Sequence, residues 1–288
     1  MSDKCGYCRA SRVARNTAAA YPHDSGPSDG SLPILPRVSC TQVNRLLRTE
    51  PAYDPCMPSA DPEDFSAVPR SHAWHEVWDR RDPEKLKYDG YETGLNSDED
   101  LVRLRTAQVA FISSTLNLGS ADHLLDLGCG TGVLTRQLAP LVRRVTAVDY
   151  SLDAVALARD TMKSCSTVEL HCSDLVTFDL GSVPVTKAVA VGSMHYLDSY
   201  AVLHTLLTSF TRRGVPVLVM DLPDQAYASG ARREYDQSRW SHLAVDTERI
   251  RADFPSSRVH RGMFPWYAND AMRFSILISP SPSLTTNS

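Results

Sequence analysis

Seven consecutive residues, Asp126-Leu127-Gly128-Cys129-Gly130-Thr131-Gly132, carry the most chemical information in this chain. Glycines in that pattern belong where φ must turn positive or where a ligand must touch backbone. A dinucleotide fingerprint, G-x-G-x-x-G, would need glycine at 133, and that position holds Val133. Asp126, two residues ahead of the first glycine, would repel a pyrophosphate and suit a cationic ligand. Three further groups follow: Asp149, Ser173-Asp174-Leu175, and Gly192-Ser193-Met194-His195-Tyr196-Leu197. Asp149 lies 21 residues after Gly128 and closes an apolar run. His195 has the side chain whose ordinary pKa suits proton transfer near neutrality. Each of these has a plainer reading. Asp149 would cap the following helix, Asp174 would shape a turn, and His195 would pack against Tyr196.

The elements that must position these residues follow from apolar periodicity. Trp74, Val77 and Trp78 have helical spacing, and Ser97-Asp98-Glu99-Asp100 reads as a capping segment with Ser97 as N-cap. The helix it opens carries Leu101, Leu104, Val109, Ile112 and Leu116, and should stop at Gly119. Strands are expected at residues 123–127, 144–149, 168–172, 188–191 and 215–220. Helices are expected at 132–141, after Ser151, and at 200–210. Nearly continuous apolar strands alternating with helices mean a parallel sheet covered on both faces. Residues 258–264 and 272–278 read as two further strands joined by a short turn. The expected class is therefore α/β: a doubly wound, mostly parallel seven-stranded sheet with an antiparallel C-terminal hairpin. Its glycine turn would lie at the carboxyl edge of the strands, where ligands bind.

Composition excludes several alternatives. The 288 residues are 42% apolar and 22% charged, with a net charge of -4, which does not favour a nucleic-acid backbone as partner. No stretch approaches ~18 uninterrupted apolar residues, so no membrane span is expected. Seven cysteines, an odd number, and no apolar signal core after Met1 point to a reduced, cytoplasmic protein. Cys5 and Cys8 form a C-x-x-C, but the nearby candidates His23, Cys40 and Cys56 are loosely spaced. A thiol pair is preferred there over a metal site. Residues 1–69 hold nine of the eighteen prolines and sustain no periodicity, so they are read as mostly disordered. Residues 70–118 would form a helical cap, 119–280 the core with an insertion at about 222–245, and 281–288 a tail.

The motif Asp126 to Gly132 resembles the first motif, D/E-x-G-x-G-x-G, of class I S-adenosylmethionine-dependent methyltransferases, matching at every fixed position. The likeness extends over roughly residues 95–279 and implies the Rossmann-like methyltransferase fold. It implies S-adenosylmethionine as cofactor, with Asp126 and Gly128, Cys129, Gly130 and Gly132 at the methionine portion. Asp149 and Tyr150 would lie at the ribose, and Ser173, Asp174 and Leu175 at the adenine. Gly192 opens the loop that would face the reacting methyl, which makes His195 the first candidate for base or acceptor-positioning residue. Trp74-His75-Glu76-Val77-Trp78-Asp79 and Tyr88-Asp89-Gly90-Tyr91 resemble elements ahead of the first motif in some small-molecule members, where Tyr91 would help cover the cofactor. Asp221-Leu222-Pro223-Asp224 after the fifth strand opens an insertion that would sit over the acceptor side.

His195, Tyr196, Tyr227, Arg232 and Tyr235 are the candidate substrate contacts, with a solvated helix face as the plainer reading of Arg232 and Arg233. The N-P-P-Y or D-P-P-Y tetrapeptide of amino-methylating nucleic-acid enzymes is absent from the loop at 192–197. The expected activity is methyl transfer to oxygen or nitrogen of a small molecule. The rivals are a cofactor-binding protein without transferase activity, and a methyltransferase acting on a peptide or protein. Oligomeric state is left open.

Overall fold

Five apolar segments bounded by turn residues pair in parallel, and two C-terminal ones close the sheet antiparallel. The structure, a computed structural model, describes residues 98–227, 242–267 and 270–280. Expectations for residues 1–97, 228–241 and 281–288 lie outside the described residues. These include Cys5 and Cys8, the Ser97 cap, Tyr91, Arg232 and Tyr235.

In chain order the elements are α1 (Asp98–Leu116), β1 (His123–Leu127), α2 (Val133–Leu138), β2 (Arg144–Asp149), α3 (Leu152–Thr161), β3 (Val168–Cys172), β4 (Lys187–Val191), α4 (Tyr200–Arg212), β5 (Val217–Pro223), α5 (Thr247–Asp253), β6 (Arg258–His260) and β7 (Arg273–Ile278). The seven-stranded sheet has the order β3-β2-β1-β4-β5-β7-β6. Strands β1 to β5 are parallel, and β7 runs antiparallel to both neighbours.

Alternation of side chains along each strand makes two apolar layers. Leu125, Leu127, Ala188, Ala190, Val217 and Val219 meet Leu203, Leu207 and Phe210 of α4 and Ile250 of α5 on one face. Leu124, Val145, Ala147, Val189, Leu218 and Met220 meet Leu104, Ile112 and Leu116 of α1 and Leu134 and Leu138 of α2 on the other. Both faces are buried, so the strands read as continuous apolar runs rather than as alternating ones.

Local chemistry moves several expected boundaries. Helix α1 ends before Asn117, not at Gly119. Asn117 takes the left-handed conformation (φ 50), and the Leu118 N–H reaches back to the Ser113 carbonyl at 2.9 Å. Asn tolerates that conformation and makes the helix stop usually assigned to glycine. Helix α2 ends at Leu138, because Pro140 supplies no N–H and the chain continues as a 3₁₀ turn, Ala139–Leu141. Strand β5 runs to Pro223, so Asp221 and Leu222 belong to the sheet rather than to the insertion. Strand β6 stops at His260, and residues 261–272 connect it to β7 in place of a short turn.

The amino edge of the sheet is held by a polar knot. Asp122 accepts the Gly119 N–H at 2.7 Å, the Thr186 hydroxyl at 2.9 Å and the Lys187 ammonium at 2.8 Å. Burial pulls its pKa up, but Lys187 and the other two donors outweigh that and leave it lowered. Beside it, buried His123 shares a hydrogen bond with Thr146 through Nε2 at 2.9 Å. Burial, reinforced by Arg144 and Arg143, lowers the His123 pKa below its ordinary value.

A His held neutral in the fold is protonated preferentially in the unfolded chain. Its contribution is therefore complete above the ordinary histidine pKa of 6.5 and is lost as pH falls below it. Urea unfolding at pH 7 and pH 5.5 should show less acid-induced loss of stability in His123→Gln than in the parent protein. Equal losses would refute this role.

Candidate functional site

Strand order reverses between β1 and β4: β1 leads through β2 to β3 on one side, and β4 leads to β5 on the other. The loops leaving such a pair diverge and open a crevice at the carboxyl edge. Here the loop after β1 is the glycine turn, and the loop after β4 is Gly192 to Leu197.

All three glycines of the turn have positive φ: 75° at Gly128, 55° at Gly130 and 76° at Gly132. Packing adds to this, firmly at Gly128 and more softly at Gly132. A Cβ on Gly128 would fall 2.3 Å from the Ser193 Cβ, and one on Gly132 would fall 2.9 Å from the Met162 Cε. The Ser193 hydroxyl donates to the Leu127 carbonyl at 2.7 Å, fastening the β4 loop across the end of β1. Neither Ser193 nor Met162 is legible as a neighbour from sequence spacing.

The acids ahead of and beyond the turn are each held by the chain. Asp126 is buried on the α2 side of β1, where the Thr135 hydroxyl donates to its Oδ2 at 2.6 Å. Asp149 closes β2 and lies against the turn. Its Oδ2 accepts the Gly130 N–H at 2.8 Å, and its Oδ1 accepts the Ser151 N–H at 3.0 Å. The helix cap itself is Ser151, whose hydroxyl accepts from Ala154 at 3.2 Å. After β3, Ser173 donates its N–H to the Asp149 carbonyl at 2.9 Å. Buried Asp174 folds its own turn by accepting the Val176 N–H at 2.8 Å, and Leu175 is buried beside it. Cys129 is buried, and Tyr150 carries the carbonyl to which the Cys172 thiol points at 3.6 Å. Asp126, Gly130, Asp149 and Asp174 thus lie at the carboxyl ends of three adjacent strands.

The β4 loop makes a 3₁₀ turn, Met194–Tyr196. His195 in it is buried, with its ring 4.1 Å from that of Tyr196 and edge-on to His242 at 4.7 Å. Burial, Arg273 and His242 together push its pKa well below the ordinary value, against a backbone hydrogen bond to Asp221. Burial therefore favours the neutral imidazole. Leu243 donates its N–H to the His195 carbonyl at 2.8 Å, and Val245 donates to the Pro223 carbonyl at 2.9 Å. These bonds tie the chain returning from the insertion to the β4 loop and to β5. Tyr227, the substrate candidate described on β5's side, is half exposed at the end of a 3₁₀ turn, Gln225–Tyr227.

Sequence reasoning missed Asp221 and Arg273. Asp221 is a non-glycine residue at φ 66°, at an irregularity in the β5–β7 register between Val219 and Leu222. One Arg273 nitrogen donates to both its carbonyl, at 2.9 Å, and its carboxylate, at 2.8 Å. Burial raises the Asp221 pKa, and Arg273 and Arg105 oppose that. The available signal was an acid closing one apolar strand and a base opening another.

Residues 124–216 match the family model described as a methyltransferase domain. Nodulation protein S of Sinorhizobium fredii is 24% identical over 180 residues, which span 62% of this chain and 74% of that protein. An uncharacterized methyltransferase of Schizosaccharomyces pombe is 51% identical over 49 residues, 17% of this chain and 19% of the yeast protein. Among solved structures, the N-methyltransferase NodS from Bradyrhizobium japonicum WM9 aligns with a TM-score of 0.50 at 18% identity. The alignment covers 65% of this chain and all of that one. The fold likeness extends to the mixed sheet with its antiparallel C-terminal strands.

Substitution of Gly128 by Ala should destabilise the domain by at least about 1–2 kcal/mol from the left-handed backbone alone, with the Ser193 contact adding to it. Denaturant unfolding of Gly128→Ala and of the double variant with Ser193→Gly measures both parts. Wild-type stability in the single variant would contradict the packing described.

Proposed function

We propose that this chain, a class I S-adenosylmethionine-dependent methyltransferase, transfers the methyl group to a nitrogen or oxygen of a small-molecule acceptor. The observation that carries this reading is the meeting of the glycine turn, the Asp149 carboxylate and the Gly192–Leu197 loop at the β1/β4 crevice. The residues suit the cofactor. Gly128, Gly130 and Gly132 present left-handed backbone with no side chains of their own. Asp149 carries an acceptor-only carboxylate held at the glycine turn by the Gly130 and Ser151 N–H groups, the chemistry a ribose diol calls for. In this reading Asp149 takes the ribose hydroxyls, with Tyr150 beside it. Asp126 and the glycine turn take the methionine portion, and Ser173, Asp174 and Leu175 border the adenine.

When bound, the cofactor supplies an electrophilic methyl on sulfonium sulfur. Held by Asp126, the glycine turn and Asp149, it would offer that methyl to a nitrogen or oxygen lone pair of the acceptor. The chain's own contribution is placement. Holding nucleophile and methyl close and collinear can supply roughly 7–11 kcal/mol of the barrier. His195 stands in the loop facing the methyl as a neutral imidazole, suited to orient an acceptor N–H or O–H by a hydrogen bond. Its lowered pKa makes it a weak proton sink, which favours a positioning role over a general base. Tyr196, packed on His195, would shape the same wall, and Tyr227 its outer rim.

Calorimetric titration with S-adenosylhomocysteine should give micromolar binding in the wild type. In Asp149→Ala the affinity should fall by about 10- to 150-fold, the worth of one charge-assisted hydrogen bond, with thermal melting checking that the domain remains folded. No binding heat from the wild-type protein would overturn the assignment. Methyl-labelled cofactor offered with panels of amine and hydroxyl metabolites would then identify the acceptor class.

A further inference from the structure

Beyond the end of β5 the chain lines an open cleft of about 610 Å³, a size that suits a small-molecule ligand. Its walls come from three places: Asp224, Gln225 and Tyr227 at the end of β5, Asp246 and Glu248 at the start of α5, and Arg261 just after β6. The cleft lies on the acceptor side of the fold. Gln225 donates its N–H to the Val245 carbonyl at 3.0 Å, and two residues earlier Leu243 donates to the His195 carbonyl. No residue of the glycine turn or of the loops after β2 and β3 lines it.

The polar groups of the cleft are held firmly and only partly used. Buried Asp224 accepts the Ala226 N–H at 2.9 Å through Oδ1 and pairs with Arg261 through Oδ2. Arg261 also donates to the Thr247 hydroxyl at 3.3 Å, and its guanidinium lies 5.5 Å from the centre of the Phe274 ring. Among the described residues these bonds engage Nη2 alone, so Nε and Nη1 keep N–H groups for a ligand. Asp246 accepts the Glu248 N–H through Oδ1, and Glu248 meets Arg251 through Oε1. Each of these two acids keeps a second oxygen as an acceptor. Tyr227 lines the same cleft with 50% of its surface exposed. An exposed phenol ring presents an apolar face with a polar tip.

This inventory decides the class of ligand. An anion would meet Arg261 but also the carboxylates of Asp246 and Glu248. A cation would meet those carboxylates but also Arg261. A neutral ring bearing several hydroxyls escapes both repulsions, because each hydroxyl donates and accepts. It can donate to the acids, accept from the guanidinium and lay its C–H face on the Tyr227 ring. We infer that the cleft is a subsite for a neutral, polyhydroxylated ring of the pyranose type, carried on the non-reacting part of the methyl acceptor. Tyr227 is its stacking platform, and Arg261, Asp246 and Glu248 are its hydrogen-bonding groups. The inference rests on the functional reading above and narrows the acceptor to metabolites that carry such a ring. Binding energy from a remote part of a substrate helps to orient its reacting centre.

Saturation-transfer NMR on the full-length protein, with methyl glucopyranoside as the probe, tests this. In the wild type, saturation should pass from the protein to the ring C–H protons of the glucoside. Tyr227→Phe should keep that signal, whereas Tyr227→Ala should weaken binding by about 2- to 12-fold, the worth of one aromatic face. Tyr227 is half exposed, so both variants should fold as the parent does, which thermal melting checks. Inorganic phosphate and ethylammonium, each at the glucoside concentration, should leave the signal in place. No glucoside signal, an equal signal in Tyr227→Ala, or displacement by either ion would overturn the subsite. Calorimetry with S-adenosylhomocysteine on the same sample keeps the two readings apart. Absent heat there sinks the methyltransferase assignment, while the glucoside signal alone decides whether the cleft binds a hydroxylated ring.

Discussion

Space at the end of β1 is the constraint on which the site depends. A side chain on Gly128 would occupy the place of the Ser193 Cβ, and the Ser193 hydroxyl is bonded to the carbonyl just before that glycine. The loop after β1 and the loop after β4 are therefore one mechanical unit, although 65 residues separate Gly128 from Ser193 in the chain. Asp149 extends the unit to β2 through the Gly130 N–H, and Ser173 extends it to β3 through the Asp149 carbonyl. The ends of β1, β2, β3 and β4 are thus joined by hydrogen bonds within the chain. Such preorganisation lowers the entropy lost on binding.

The side of the crevice nearer β5 and β7 is built differently. There the groups are charged and buried, and they are balanced against one another. Arg273 meets Asp221, and Asp270, whose pKa burial raises, accepts backbone N–H groups of Phe264 and Met263. Arg105 of α1 donates to Gln108 at 3.1 Å. Removing one member of such a set leaves an uncompensated charge, which costs more than the pair contributes. The β1 and β2 side of the crevice is thus organised by glycines and by side chains bonded to backbone, and the β5 and β7 side by acids set against Arg273.

Much of this was legible in the sequence, and the reason is periodicity. Strands buried on both faces appear as apolar runs, and β1, β2 and β3 fall on the residues expected from them. The glycine turn was legible because positive φ and close contact both select one residue type. Asp149 was legible by its place at a strand end. Asp221 was not, because an acid after an apolar run reads as the start of a loop, and only pairing with β7 keeps the chain in the sheet to Pro223. Arg273 was hidden among apolar neighbours for the same reason. The stop of α1 at Asn117 was missed because glycine two residues later is the stronger signal. Contacts such as Ser193 on Gly128 and Met162 on Gly132 depend on tertiary distance, which no local pattern encodes.

The polar knot at Asp122 has a bearing on how such a protein diversifies. Lys187 and Thr186 at the start of β4 are clasped to Asp122 and His123 at the start of β1. That is one strand length, roughly 16 Å, from the crevice. The same two strands are thus gripped at one end and carry the reactive loops at the other. The residues that grip the two strands and the residues that border the crevice are therefore different ones. A substitution at the crevice end can leave the Asp122 grip on both strands as it is.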